Sequence, residues 1–222
     1  HKYEKAKESL SKALTATKKK KQRARLHFIL GQVHEQMEEF SSAQTQYANV
    51  LNSKPTVELD FQARMKKALS ALRNGSSALI AKTELLKMLE ELKYADYKDQ
   101  ILYTLAVMAE EQGETAEAKQ LLARSIKESK KNKKQKGKSF LFLADLHFKA
   151  KEYVSAQAAY DSTQKIIGDK HPRYDEVSGR AKSLTELVDY LDKIENADSL
   201  FKLCGMSQQE QVNAIKEIRQ QL

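Results

Sequence analysis

An alanine recurs along this 222-residue chain at a nearly constant interval. Each copy follows an aromatic or small residue by three positions and precedes a bulky residue by four, a spacing that places side chains on one face of a helix. The copies, 37 or 38 positions apart, are Ala6, Ala43, Ala81, Ala118 and Ala156. A fixed period of this length is typical of stacked two-helix units, in which the alanine would lie on the second helix, called helix B here.

The first helix of each unit, helix A, is expected to touch helix B twelve positions before the alanine. An apolar residue followed by a small one stands there in three units: Leu30 and Gly31, Leu105 and Ala106, and Leu143 and Ala144. The third unit departs from this pattern, because Leu69 occupies the place where a small residue is expected. A turn over residues 74–77 is nevertheless predicted between its two helices.

These positions resemble the tetratricopeptide repeat. Residues 24–57 match it best, with Leu30, Gly31, Ala43 and Pro55 at the offsets of that family. The resemblance implies an all-α fold, a right-handed α-solenoid of tetratricopeptide-like helical hairpins followed by a long C-terminal helix and a capping helix. Because the period exceeds the 34 residues of the common repeat, we expect connections or helix ends to absorb the excess.

Composition favours the same fold class. Seven glycines and two prolines leave little material for the tight turns of sandwiches, barrels or phosphate-binding loops. The single cysteine cannot form an internal disulfide, and no segment approaches the roughly 20 apolar residues that a bilayer-spanning helix needs. The net charge of +9 is compatible with acidic proteins, phosphates or anionic surfaces as partners.

The repeats are predicted to cover residues 1–171, as a partial unit over 1–23 and full units over 24–57, 58–98, 99–136 and 137–171. Tyr3 lies on a helix B with no helix A before it, so we expect an upstream repeat outside this sequence. Residues 172–222 form the predicted extension, whose long helix carries Val177, Ala181, Leu184, Val188 and Leu191. Ser207 and Glu210 then make a capping-box pattern before a last helix with Val212, Ile215, Ile218 and Leu222.

Two basic runs, residues 18–25 and 130–138, lie three periods apart and are predicted to fill the connections from helix B to the next helix A. The favoured interpretation is a solvated edge, or a cationic end that suits the helix dipole. An anionic partner is the alternative. Nucleic acid is less favoured, because no recognition motif or interleaved aromatic residue accompanies the charge.

No group of residues indicates catalysis or metal binding. His27, His34 and His147 are expected to pack structurally on helix A, and Cys204 is expected to be a buried or inert thiol. Nucleophile-elbow, phosphate-loop, dinucleotide and zinc-ligand patterns are missing from the sequence. The sequence therefore predicts a protein that is not an enzyme and has no cofactor or metal site.

Binding is expected on the concave face that helix A lines in tetratricopeptide arrays. Counting helix A positions from residues 24, 62, 99 and 137 selects a mixture of apolar anchors and charges, which suits a peptide or a partner's helix. A groove without a ligand of its own is the alternative. The selected residues are Arg25, Phe28, Gln32, Glu35, Lys66, Arg73, Tyr103, Glu110, Lys138, Leu141, Asp145 and Phe148.

Several longer blocks resemble one particular family. They are residues 18–25 with 28–31, 94–101, 131–136, 160–162, and the tail from 184 to 207. Together they resemble the repeat region of the PorW/SprE-type lipoproteins of the type IX secretion and gliding machinery of Bacteroidetes. The resemblance implies an envelope scaffold on the periplasmic side of the outer membrane, tethered by an N-terminal lipid outside this sequence and bound to other secretion components.

A second function remains open from the residues themselves. The chain could be a cytoplasmic repeat adaptor whose basic edge binds nucleic acid or regulates an enzyme. The upstream sequence would discriminate between the two, because a signal peptide with a lipobox cysteine favours the scaffold. A kinase, helicase or DNA-binding segment favours the adaptor.

Overall fold

A computed structural model describes residues 2–75 and 78–213, and within these ranges the chain is helical with no strand. The helices are α1 (Lys2–Ala16), α2 (Lys20–Gln36), α3 (Phe40–Asn52), α4 (Val57–Arg73), α5 (Ala78–Glu90), a 3-10 helix (Leu92–Tyr97), α6 (Lys98–Glu111), α7 (Thr115–Glu128), α8 (Lys133–Lys149), α9 (Tyr153–Ile166) and α10 (Tyr174–Cys204). Residues 208–213 are helical as well.

By its internal contacts the chain groups into two compact units, residues 1–139 and 140–222. The first unit holds α1 to α7 and the start of α8, and the second holds the rest of α8 with α9 and α10. The predicted boundary between residues 171 and 172 marks the end of the repeat pattern, which is a different division from this grouping by contacts. That boundary and the repeat limits remain predictions.

Three turns between helix A and helix B share one backbone geometry. Glu38, Gly113 and Lys151 all have positive φ, at 59°, 80° and 61°, the left-handed conformation that commonly ends a helix. In each turn the next residue is a glutamate whose N–H donates to a helix A carbonyl five positions back, at 2.8–3.0 Å. The carbonyl of that glutamate accepts the N–H of the helix B alanine four residues later. The turn therefore fixes the register in which each alanine enters helix B.

The predicted close contacts between helices are confirmed at the alanines. Ala43, Ala81, Ala118 and Ala156 are all buried. Gly31 shows how close helix A comes to helix B, because an added Cβ would lie 2.7 Å from Cε1 of Tyr47. Any other residue at position 31 would require the Tyr47 ring to move.

The third repeat differs from the prediction in one detail. Ala68 is buried whereas Leu69 is only half-buried, so the small residue lies one position earlier than expected. Gly75 turns the chain with φ of 68°, and the serines predicted at 76 and 77 lie outside the described residues. The excess period is absorbed by helix A segments of 17 residues in α2, α4 and α8, and by the 3-10 helix before α6.

The C-terminal helix was expected to carry one apolar stripe along its length. Its first half does so, because Val177, Ala181 and Leu184 are buried in a core with residues of α8 and α9. Glu210 accepts hydrogen bonds from the N–H and the hydroxyl of Ser207, at 2.8 and 2.7 Å, which provides the glutamate half of the predicted capping box. The predicted apolar residues Ile215, Ile218 and Leu222 lie outside the described residues.

Candidate protein-binding face

The residues predicted for the groove all lie on helix A of their repeats. They are Arg25, Phe28, Gln32 and Glu35 on α2, Lys66 and Arg73 on α4, Tyr103 and Glu110 on α6, and Lys138, Leu141, Asp145 and Phe148 on α8. The first unit contains those up to Lys138, and the second contains the other three. The candidate face therefore has a separate part in each unit.

A pocket of about 320 Å³ opens between α2 and α4 in the first unit, and we call it the α2–α4 pocket. Phe28 is half-buried there, with its ring 5.6 Å from that of Tyr47 and packed on the buried residues Ala24, Val50 and Ala63. The core therefore holds this apolar wall in place. The lining residues are Lys21, Ala24, Arg25, Phe28, Pro55, Thr56, Glu58, Leu59 and Gln62.

The charges around the α2–α4 pocket are mixed but mainly basic. Lys21 and Arg25 of α2 are exposed at the pocket, and Glu58 of α4 is its acidic residue. A ligand with an apolar side chain next to a carboxylate would place the side chain against Phe28 and the carboxylate against the Arg25 guanidinium or the Lys21 ammonium. The sequence predicted the α2 wall but not the wall from α4, because it could not show which turn of α4 lies opposite Phe28.

Two predicted groove residues, Glu35 and Lys66, are paired with each other. The Lys66 ammonium donates to the Glu35 carboxylate at 2.7 Å, and the Ser70 hydroxyl donates to the same carboxylate at 3.2 Å. The Glu35 side chain is only 10% exposed. These side chains therefore join α2 to α4, and a ligand that used either charge would have to compete with this ion pair.

The remaining predicted residues of the first unit are arranged differently from one another. Arg73 lies over the Phe40 ring, 5.8 Å from its centroid, and 4.0 Å from the Glu111 carboxylate. Glu110 accepts a 2.7 Å hydrogen bond from the Thr115 hydroxyl. Tyr103 is half-buried, and Gln32 and Lys138 are exposed.

Leu141 of the second unit does not line an open surface. It is 8% exposed and belongs to the core formed with α9 and α10. Its apolar side chain completes the packing around Ala144 and Ala156, which leaves little area for a ligand. Phe148 is 37% exposed, and the Arg180 guanidinium lies 4.9 Å from its ring centroid.

Asp145 is the centre of a polar network in the second unit, which we call the Asp145 cluster. Its carboxylate accepts two hydrogen bonds from Arg173, at 2.8 and 3.0 Å, and one from the Tyr160 hydroxyl at 2.7 Å. Arg180 donates to the same carboxylate at 3.4 Å and to the Tyr160 oxygen at 2.6 Å. Glu176 pairs with both arginines. The cluster thus joins α8, α9 and α10.

Sequence reasoning missed Arg173, Glu176 and Arg180. Glu176 and Arg180 lie four positions apart on one face of α10, and Arg173 is the residue that precedes the helix. The spacing of three and four positions was the signal that could have found them. Hydrogen bonds that the Arg173 guanidinium donates to Glu176 and then to Asp145 raise the pKa of Arg173. Burial, followed by the Asp145 hydrogen bond, raises the pKa of Tyr160 to about 12. These shifts keep Arg173 charged and the Tyr160 hydroxyl protonated through the physiological range.

Tyr47 and Tyr160 occupy the same position in their repeats but differ in hydrogen bonding. Each follows its helix B alanine by four positions and is fully buried. Tyr160 has the partners described above, whereas the Tyr47 hydroxyl has no hydrogen-bond partner within the described residues. Burial first, and then the nearby Glu35 carboxylate, raise the pKa of Tyr47. Burying the hydroxyl therefore costs more free energy at Tyr47 than at Tyr160, although the repeat position is the same.

We expect Tyr160→Phe to lower the free energy of unfolding by about 1.5 kcal/mol, because it removes a buried hydrogen bond to a carboxylate. Tyr47→Phe is expected to leave stability unchanged or to raise it, since it removes a buried hydroxyl without a partner. Chemical denaturation of the two variants measures both changes. Equal losses in the two variants would contradict the assigned bonding.

The basic runs do not lie where they were predicted. The connections are short, and most of each run forms the first turns of α2, from Lys20, and of α8, from Lys133. Positive charge at a helix N-terminus is opposed by the helix dipole, so the proposed favourable dipole interaction is wrong for these residues. The side chains of residues 18–22 and of 130, 131, 133 and 134 are exposed.

The predicted packing role of the histidines agrees with their contacts. His34 Nδ1 lies 2.5 Å from the Glu39 carboxylate, His147 bonds Glu152 in the same way, and His27 Nδ1 lies 2.8 Å from Gln46 Oε1. Cys204 is exposed, so the expectation of a buried thiol is wrong and that of an inert one remains.

Among the described side chains, no three or more His, Cys, Asp or Glu residues are grouped so that they could hold a metal ion. In the same part of the chain, no helix is both long enough and apolar enough to cross a membrane.

No family model and no curated protein matches the sequence. Solved structures do match the fold. BtubC (BKLC) from P. vanneervenii has a TM-score of 0.65 at 14% identity, over 89% of this chain and 92% of its own. PilF of Pseudomonas aeruginosa has a TM-score of 0.55 at 21% identity, over 86% and 84%. The likeness confirms the predicted fold class, an all-α solenoid of tetratricopeptide-like hairpins.

Proposed function

We propose that this chain is a non-enzymatic scaffold that binds a segment of a partner protein on the helix A face of its first unit. The observation that carries the proposal is the α2–α4 pocket, where a core-supported aromatic wall lies beside exposed cationic groups. Buried apolar anchors usually dominate the energy of an interface, whereas exposed charges contribute less. The tetratricopeptide-like fold supports a protein partner in general.

The finer proposal is a component of the type IX secretion and gliding machinery, on the periplasmic side of the outer membrane. Its support is the resemblance of the sequence blocks to the PorW/SprE-type lipoproteins. Its partners would then be other envelope proteins of the machinery. Affinity capture with the full-length parent protein in its native envelope tests this proposal, and capture of cytoplasmic partners alone would contradict it.

The pocket is tested with two variants that act in opposite ways. Phe28→Ala removes the aromatic wall, and Gln62→Phe fills the space while it leaves the core intact. Each is expected to weaken capture of the partner roughly tenfold, the effect of about 1.4 kcal/mol. Thermal unfolding of both proteins shows whether Phe28→Ala still folds, and Leu92→Ala, at a fully exposed site of the same unit, is the matched control.

The alternative is that the partner binds the basic edge, and the exposure of lysines in both basic runs supports it. Neutralising Lys18, Lys19 and Lys20, which do not line the pocket, should weaken capture less than the pocket variants do, and the difference from wild type should shrink as salt rises. If the lysine variant loses the partner while Gln62→Phe retains it, the edge rather than the pocket is the binding site.

A further inference from the structure

The second half of α10 presents an apolar surface that nothing in the described structure covers. Whereas Val177, Ala181 and Leu184 are buried, the apolar side chains that follow are open to solvent. Tyr190 is 63% exposed, Ile194 58% and Phe201 79%, with Leu187 and Leu191 at 36% and 38%. We call these five residues the α10 stripe.

The α10 stripe has the spacing of a helix-pairing surface. Its members follow one another by three, one, three and seven positions, so they lie on one side of the helix. From Leu187 to Phe201 the stripe extends about 21 Å along the axis. Single exposed apolar residues are ordinary on a protein surface, but an aligned set of this length marks an interaction surface.

The second half of α10, which carries the stripe, has a net charge opposite to that of the chain. Residues 185–204 contain five acidic side chains and only two basic ones, whereas the whole chain carries +9. The acidic residues are Glu186, Asp189, Asp192, Glu195 and Asp198, of which Glu186, Glu195 and Asp198 lie beside the stripe at helical spacing. The Lys193 ammonium lies 5.3 Å from the centroid of the Tyr190 ring. A local acidic surface on a basic protein attracts a basic partner and repels an anionic one.

The charges also discriminate among occupants. Two copies of the stripe paired with each other would bring together two helical segments of the same net negative charge, which is unfavourable. An anionic lipid surface would be repelled for the same reason. A helix with apolar residues at intervals of three and four, flanked by lysine or arginine, satisfies both the apolar face and its charge.

We propose that the α10 stripe is a docking surface for a basic amphipathic helix of a partner protein. The docked helix buries Ile194 and Phe201, and its cations pair with the acidic residues beside them. This site is on the second unit and is distinct from the α2–α4 pocket, so the two proposals succeed or fail separately.

The test uses the full chain and two synthetic helical peptides of about 18 residues, which span about 27 Å. Both peptides have leucine at alternating intervals of three and four residues. Lysine flanks the leucines in one peptide, and glutamate flanks them in the other. Fluorescence anisotropy at about 0.15 M salt measures their binding. We expect the lysine peptide to bind at least tenfold more tightly than the glutamate peptide. The net positive charge of the chain opposes non-specific attraction of the lysine peptide.

Two sets of variants locate the binding. The triple variant Tyr190→Ala, Ile194→Ala and Phe201→Ala is expected to weaken the lysine peptide at least tenfold without changing the unfolding midpoint, because these side chains are exposed. Neutralisation by Glu195→Gln and Asp198→Asn is expected to weaken it less and to reduce its salt dependence. The matched control is Leu79→Ala with Ile80→Ala, another exposed apolar pair, on α5.

Four results would overturn the proposal. Equal binding of the two peptides would remove the charge argument, and binding that survives the triple variant would place the site elsewhere. Dimers in sedimentation that the triple variant abolishes would show that a second copy occupies the stripe. Binding that appears only after deletion of residues 207–222 would show that the chain's own end covers it.

Discussion

Ala156→Arg is expected to lower the free energy of unfolding by at least about 2 kcal/mol. Ala156 is fully buried in the core of the second unit, together with Ala144 and Tyr160. An arginine there would have to displace packed side chains and leave a charge without a partner. Thermal or chemical denaturation followed by circular dichroism measures the loss.

The control for this substitution lies two residues further along the same helix. Ala158 is exposed, so Ala158→Arg is expected to change stability by no more than about 0.5 kcal/mol. Ala118→Arg and Ala116→Arg form the same buried and exposed pair on α7. Unchanged unfolding midpoints for Ala118→Arg and Ala156→Arg would refute the repeat register.

Phe61→Ala is expected to cost about 3 to 5 kcal/mol, the usual loss for a buried phenylalanine. Phe61 is 1% exposed, and its ring stacks on that of Tyr97 with centroids 4.3 Å apart. The Tyr94 ring lies 6.3 Å away, and its hydroxyl donates to the Asp60 carboxylate. Truncation would leave a cavity beneath the 3-10 helix, so that segment should loosen as well.

Phe201→Ala is the matched control, because it makes the same change on a ring that is almost fully exposed. We expect its unfolding midpoint in urea to equal that of the wild type. A loss below about 1 kcal/mol for Phe61→Ala would contradict the aromatic packing of the third repeat.

The repeat register could be predicted from sequence because helix packing places strict size limits on a few positions. Gly31 and the alanines are buried between packed helices, and a larger side chain there would force its neighbours to move. Such limits recur once per repeat, so the period appears in the sequence itself. The third repeat was harder to read because Ala68 and Leu69 are adjacent and only the packing distinguishes them.

The candidate site was less predictable because it depends on long side chains from different repeats. Family positions selected Asp145 and Phe148, but only the structure shows their partners. Arg173, the residue before α10, bonds Asp145, and Arg180 of α10 lies over the Phe148 ring. In the same way, Glu35 and Lys66 were selected as separate ligand contacts although they bond each other. Periodicity also marked Leu191 as part of an apolar stripe, but it could not show that α10 is buried only as far as Leu184 and that Leu191 lies beyond this contact.

The links between successive repeats have a consequence for how the chain folds. Side-chain hydrogen bonds such as Glu35 to Lys66, Lys82 to Glu117 and Asp145 to Arg180 join residues only 31 to 35 positions apart. Each link therefore closes a short loop, and a topology made of such links has a low contact order, which favours rapid folding. Since each hairpin depends on its immediate neighbours, an array of this kind can gain a hairpin without any increase in the entropic cost of forming those already present.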